Sequence, residues 1–94
     1  MGRINVIQYI TFATPSNATD FGDLTEIKDE TASLSDGTKG LCSGGNTGAK
    51  SNVIDYINIA SLGDAVDFGD LTVAKGELGG ASNGTRGVFV GGNT

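Results

Sequence analysis

The chain has 94 residues, a formal net charge of −5, 16 glycines, one cysteine and no histidine or tryptophan. An acidic balance of this kind carries no electrostatic footprint for nucleic acid, the lone Cys42 excludes an intrachain disulfide framework, and a chain without histidine lacks the usual zinc ligands. No apolar run approaches the roughly 18 residues of a membrane span, and Met1-Gly2-Arg3-Ile4 lacks the charged-then-apolar plan of a secretory signal, so a soluble chain with no membrane partner is expected.

The stretch Asn5–Thr47 returns as Asn52–Thr94 without a gap, an offset of 47 residues. The chain is therefore two copies of one unit, repeat one over 5–51 and repeat two over 52–94, forming one two-repeat unit over 1–94. Each copy opens on a strand signal, Asn5–Ala13 and Asn52–Ala60, rich in Val, Ile, Tyr and Phe. In the second copy Val53, Ile57 and Ile59 share one alternating face and Ile54 and Tyr56 the other, the pattern of a strand covered on both sides. Turn formers follow, Thr14-Pro15-Ser16-Asn17 and Ser61-Leu62-Gly63-Asp64, where the chain is expected to reverse.

The best-preserved block comes next, Asp20–Thr25 and Asp67–Thr72. Ala65–Leu71 reads as a short outer strand in which Gly69 marks a bulge or a positive φ, and Phe21 and Phe68 are expected to point into an interface between units. Beyond Lys28 and Lys75 the sequence turns small and polar, Glu30–Ser35 and Glu77–Ser82, which suits a strand packed where space is tightest. Asp36-Gly37 and Asn83-Gly84 then give a strong hairpin signal. The strand after each turn, Lys39–Ser43 or Arg86–Val90, ends in a glycine doublet, Gly44-Gly45 or Gly91-Gly92.

Four short antiparallel strands in a unit of this length fit the plan of a β-propeller blade. The strand followed by Gly-Gly (Leu41–Gly45, Val88–Gly92), with Tyr56 in the next strand and Phe68 further on, resembles the kelch type of repeat. Phe21 and Phe68 stand where kelch repeats usually carry Trp, and the interval from Tyr56 to Phe68 is longer than usual. The wording of Asp67–Thr72 and Gly84–Gly92 is also similar to tandem repeats in virion structural or tail-associated proteins of marine bacteriophages, which implies a virion-associated location for a natural phage protein. The implied fold is an all-β propeller of four-stranded antiparallel blades. Two blades cannot close a propeller, so closure is expected from homo-oligomerisation, as a homotrimer with six blades or a homotetramer with eight. The repeat frame starts after one Gly-Gly and ends on another, so blades are expected to be shared between neighbouring chains.

The remaining motifs favour structure over chemistry. Asp-Phe-Gly occurs in both copies without the glycine-rich loop, strand lysine or catalytic loop of a kinase. Asp20, Asp23, Asp67 and Asp70 could serve as the paired carboxylates of a glycosidase, but turn and interblade roles, with Asp23 and Asp70 structural, suit a motif present twice. Lys39 and Arg86, at equivalent positions, either pair with those carboxylates or face a ligand. Cys42 occupies the slot of Phe89 and reads as a small buried residue. The doublets Gly44-Gly45 and Gly91-Gly92, and Tyr9 and Tyr56, read as packing devices. The longest irregular stretch, Gly44–Asn52, offers Asn46, Thr47, Lys50 and Ser51, with Asn93 in the second copy, as candidate ligand contacts.

The expectation is a non-enzymatic structural or binding module, a self-assembling kelch-like propeller fragment of phage virion origin or engineered to study propeller assembly, without cofactor or metal. The alternative is a glycan-binding, lectin-like propeller with a glycan or protein surface as partner. A glycosidase stands third.

Overall fold

The computed structural model describes residues 2–94; Met1 lies outside the described residues. Eight strands follow one another: β1 (Ile4–Thr11), β2 (Thr14–Lys28), β3 (Ala32–Ser35), β4 (Lys39–Ser43), β5 (Val53–Asn58), β6 (Val66–Asp70), β7 (Gly79–Ser82) and β8 (Gly87–Val90). They form three open sheets, a β1–β2 hairpin, a central sheet in the order β3-β4-β5-β6, and a β7–β8 hairpin, with every pairing antiparallel. The fold is all-β, with no helix among the described residues. Strand, turn and strand follow the β-branched runs and the Asp-Gly or Asn-Gly punctuation, as the periodicity requires.

Apart from the turns that follow β1 and β5, the two repeats share their local detail. Tyr9 meets Phe21 edge to face with ring centroids 6.0 Å apart at 80°, and Tyr56 meets Phe68 at 6.0 Å and 81°. Asp36 Oδ1 accepts the N–H groups of Thr38 and Lys39 at 2.8 and 2.7 Å, and Asn83 Oδ1 does the same for Thr85 and Arg86 at 3.0 and 2.7 Å. Those amide donors, that of Lys39 first, hold the Asp36 carboxyl below the usual carboxylate range. Gly37 and Gly84 complete the turns at φ of 94° and 93°.

The structure corrects one expectation and decides another. In repeat one the chain reverses at Phe12-Ala13, where Thr11 and Thr14 pair across a two-residue turn, and Thr14–Asn17 belongs to β2. Pro15 is tolerated there because the ladder jumps from Thr14 to Thr19 on β2, leaving residues 15–18 without partners and asking no hydrogen bond of the imide. In repeat two the reversal does span Ser61–Asp64, because its loop docks on β2 through Gly63 N–H to Phe21 O (3.1 Å) and Ala65 N–H to Asp23 O (2.8 Å). The bulge near Gly69 falls on Phe68, between the pairs Ile54–Gly69 and Asp55–Asp67, and Phe21 is the matching extra residue of β2. Neither Gly22 nor Gly69 has a positive φ. Gly22 is needed for closeness, since a Cβ there would collide with the Gly63 carbonyl. Positive φ falls instead on Glu30 and Glu77, at 59° and 56°.

Few apolar side chains are buried, namely Phe21, Ala32 and Leu78. They lie where one sheet meets the next. Phe21 is 6% exposed because the loop after β5 covers it, whereas Phe68, its equivalent, has no such loop over it among the described residues and is 58% exposed. The same contrast holds for the doublets: Gly44 and Gly45 are buried, Gly91 and Gly92 exposed, although their φ values agree within a few degrees (66° and 107° against 67° and 109°).

Gly45 and Gly37 separate backbone strain from crowding. A Cβ on Gly37 meets nothing within 4 Å, whereas one on Gly45 would lie 2.6 Å from Asp29 O and 2.9 Å from Thr31 Cγ2. Gly37→Ala is expected to cost about 1 kcal/mol from the left-handed conformation alone. Gly45→Ala adds overpacking of about 1–3 kcal/mol, and urea unfolding of the two variants checks the difference.

Candidate functional site

The joint between the β1–β2 hairpin and the central sheet is the most highly organised part of the molecule. Asp55 sits in β5 opposite Cys42, on the same alternating face as Val53 and Ile57, and is 1% exposed. Its carboxylate receives the Thr25 amide at 3.0 Å (Oδ2) and the Thr25 hydroxyl at 2.8 Å (Oδ1) and 2.7 Å (Oδ2). A buried carboxylate costs several kcal/mol in desolvation unless donors of this kind meet it. Beside it, the Ser51 hydroxyl donates to Glu26 Oε1 at 2.7 Å and accepts the Val53 amide at 3.1 Å. The Lys28 ammonium, fully buried, reaches Glu26 Oε1 at 3.5 Å, and Lys50 Nζ pairs with Glu30 Oε1 at 3.0 Å.

Backbone bonds gather around the glycine doublet. Gly44 N–H donates to Val53 O at 3.0 Å, Gly45 N–H to Lys75 O at 2.9 Å, Ser51 N–H to Gly45 O at 2.9 Å, and Lys75 N–H to Ser51 O at 3.1 Å. The end of β4, the start of β5 and the approach to β7 are thereby tied at one point. Glu77 N–H to Glu30 O, at 2.9 Å, joins the two equivalent left-handed residues.

This network engages most of the candidate ligand contacts. Asn46 exchanges backbone bonds with Asp29 and accepts the Gly48 amide on Oδ1, Thr47 donates its hydroxyl to Ala49 O, and Asn93 Nδ2 donates to Glu77 Oε1. Ser51 is buried and Lys50 is paired as described above. Thr47, Gly48 and Ala49 form the exposed tip of the loop.

Two clefts separate the sheets. One, of about 340 Å³, lies between the β1–β2 hairpin and the central sheet and is lined by Val6, Leu24, Leu41, Cys42, Asp55 and Ile57 among others. The other, of about 530 Å³, lies between the central sheet and the β7–β8 hairpin, with Leu34, Lys39, Phe68, Arg86 and Phe89 on its walls. Neither Lys39 nor Arg86 forms a salt bridge with Asp20, Asp23, Asp67 or Asp70 among the described residues. Those four carboxylates are exposed on β2 and β6, and Asp23 takes part in the joint through its amide, which donates to Asp64 Oδ1 at 3.0 Å. A glycosidase needs one carboxyl held in a desolvating pocket so that it stays protonated, and these positions provide no such pocket. Among the described residues no three His, Cys, Asp or Glu side chains gather as a metal ligand set. No helix of the described residues is long and apolar enough to cross a membrane.

Sequence reasoning missed Asp55, Glu26 and Ser43. The signal for Asp55 was one carboxylate on a face otherwise made of Val53, Ile57 and Ile59. Ser43, whose buried hydroxyl has no hydrogen-bond partner among the described residues, occupies the position of Val90 in the second repeat, which marks the site as apolar in character.

Asp55→Ala would leave the Thr25 amide and hydroxyl without their acceptor, and a loss of about 1–3 kcal/mol is expected. Asp55→Asn keeps one carbonyl oxygen and is expected to lose less. A double-mutant cycle with Thr25→Val, followed by urea unfolding, should show strong coupling between the two positions. The chain matches no protein-family model and no curated protein.

Proposed function

We propose that this chain is a non-enzymatic structural module, a pair of kelch-like propeller repeats whose work is to assemble with further copies into a ring. The observation that carries the reading is the arrangement of strands in groups of two, four and two. The central sheet is a whole four-stranded blade. The β7–β8 hairpin repeats its β3–β4 half and the β1–β2 hairpin repeats its β5–β6 half. One copy thus presents, at its two ends, the halves that another copy needs.

The exposed apolar residues support the same reading. Phe68, Val73, Val88 and Val90 are each 46–59% exposed, and Ile4 and Ile10 are 65% and 55% exposed. Apolar surface of this extent beside unpaired strand edges is covered in stable β proteins. The wording of the repeats, similar to that of phage virion proteins, suits such a module in a particle assembled from many copies. Catalysis finds no support in the joint: its one buried carboxylate is committed to Thr25, and Cys42 has no histidine to activate it.

Native mass spectrometry or light scattering tests this directly. Three copies of the 9.5 kDa chain give six blades and four give eight. A mass three or four times that of the chain is expected at micromolar concentration. A folded monomer over that range overturns the reading.

A further inference from the structure

Among the described residues, strand β4 has neighbours on both sides, β3 and β5, whereas its repeat equivalent β8 has only β7. Strand β5 lies between β4 and β6, whereas its equivalent β1 has only β2. The two free edges are therefore the counterparts of two strands that meet inside the chain. We propose that β8 of one copy pairs antiparallel with β1 of a second copy in the register of the β4–β5 ladder carried forward by one repeat. That ladder sets Lys39, Leu41 and Ser43 opposite Asn58, Tyr56 and Ile54. The seam accordingly sets Arg86, Val88 and Val90 opposite Thr11, Tyr9 and Ile7 of the second copy. The inference rests on the ring reading above and specifies how its copies join.

Backbone geometry supports this register. Gly91 and Gly92 hold the φ values of Gly44 and Gly45 although both are exposed, and a Cβ on Gly91 would meet nothing within 4 Å. Inside the chain the Gly44 and Gly45 amides are bonded to Val53 O and Lys75 O, while those of Gly91 and Gly92 have no backbone acceptor among the described residues. The seam supplies Val6 O and Lys28 O of the second copy at those positions.

Side-chain chemistry supports it independently, because residues that face each other across the joint change together. The ion pair Lys50–Glu30 becomes Arg3 of the second copy with Glu77, still opposite in charge. The hydrogen-bonded pair Ser51–Glu26 becomes Ile4 of the second copy with Val73, both apolar and now 65% and 50% exposed. Thr25 with Asp55 becomes Thr72 with Gln8 of the second copy, still donor with acceptor. Changing one member alone would bury a carboxylate against Ile4 or a hydroxyl against Val73, each an uncompensated polar burial.

Cysteine pairs in the full chain, with Cys42→Ala as background, test the register. Arg86→Cys with Thr11→Cys sets thiols at a position whose counterparts, Lys39 and Asn58, are directly opposed. The flanking bond from Ile59 N–H to Thr38 O makes it a non-hydrogen-bonded pair, with Cα atoms about 4.5 Å apart, within reach of a disulfide. Val88→Cys with Thr11→Cys is displaced by two residues, about 7–8 Å. Mild oxidation is expected to yield covalent multimers from the first pair and about tenfold fewer from the second. A second test needs no cysteine. Val73→Glu should raise the concentration at which the assembly dissociates about tenfold or more, and adding Ile4→Ser, which recreates the Glu26–Ser51 pair, should recover a large part of that loss. A multimeric native mass with equal crosslinking of both cysteine pairs, or with Ile4→Ser and Val73→Glu weakening assembly independently, overturns the register while the ring reading stands. A monomeric mass overturns both.

Discussion

Asp55 is a full charge with 1% of its surface exposed, and a carboxylate so placed is stable only while donors surround it. Both donors come from Thr25, so the position of β2 against the central sheet is fixed by the solvation of one side chain. The rest of the joint follows from that placement. With Thr25 held, Phe21 is brought under the loop that follows β5, Gly22 lies against the Gly63 carbonyl, and Glu26 comes within reach of Ser51 and Lys28. Apolar burial is limited to a few side chains, so specificity in this joint rests on polar groups that must meet partners or be destabilised.

Apart from the turns after β1 and β5, the repeats share their local conformation and differ in what covers them. Phe21 and Phe68 make the same edge-to-face contact with their tyrosines, yet one is buried and the other is more than half exposed. Turn capping, the left-handed glutamates and the glycine doublets agree likewise between repeats. Local structure here is set by the sequence of each unit, whereas burial depends on the next unit in line. A fold built in this way has stability that is mostly nearest-neighbour, as in repeat proteins generally.

How much of this was legible in the sequence depends on the range of the interaction. Strands and hairpins were readable where side-chain alternation and Asp-Gly or Asn-Gly decide them locally. The reversal at Phe12-Ala13 was not, because Pro15 signals a turn wherever it stands, and only the ladder reveals that residues 15–18 have no pairing to lose. Glu30 and Glu77 gave no signal either, since a left-handed glutamate costs about 1–3 kcal/mol and persists only where surrounding bonds impose it. Here the bond from the Glu77 amide to Glu30 O ties the two positions together. Asp55 was visible as a charge on an apolar face, but its partner lies 30 residues away and belongs to a different sheet.

On the proposed reading, the end of the chain and its beginning are unlike surfaces that fit one another, so the contact between copies is heterologous. Such contacts make rings when the rotation from copy to copy closes and filaments when it does not. The joint inside the chain and the joint between chains are built from equivalent strands, so the glycine doublet and a threonine donor recur at each seam. The second joint replaces the buried carboxylate with Gln8 and the Ser51–Glu26 pair with two aliphatic side chains. Two surfaces that first meet in water, as separate molecules, must shed hydration from every polar group they bury, and removing a charge from that set lowers the cost of association. The internal joint is formed by one folding chain and can carry the charge; the external one has it replaced.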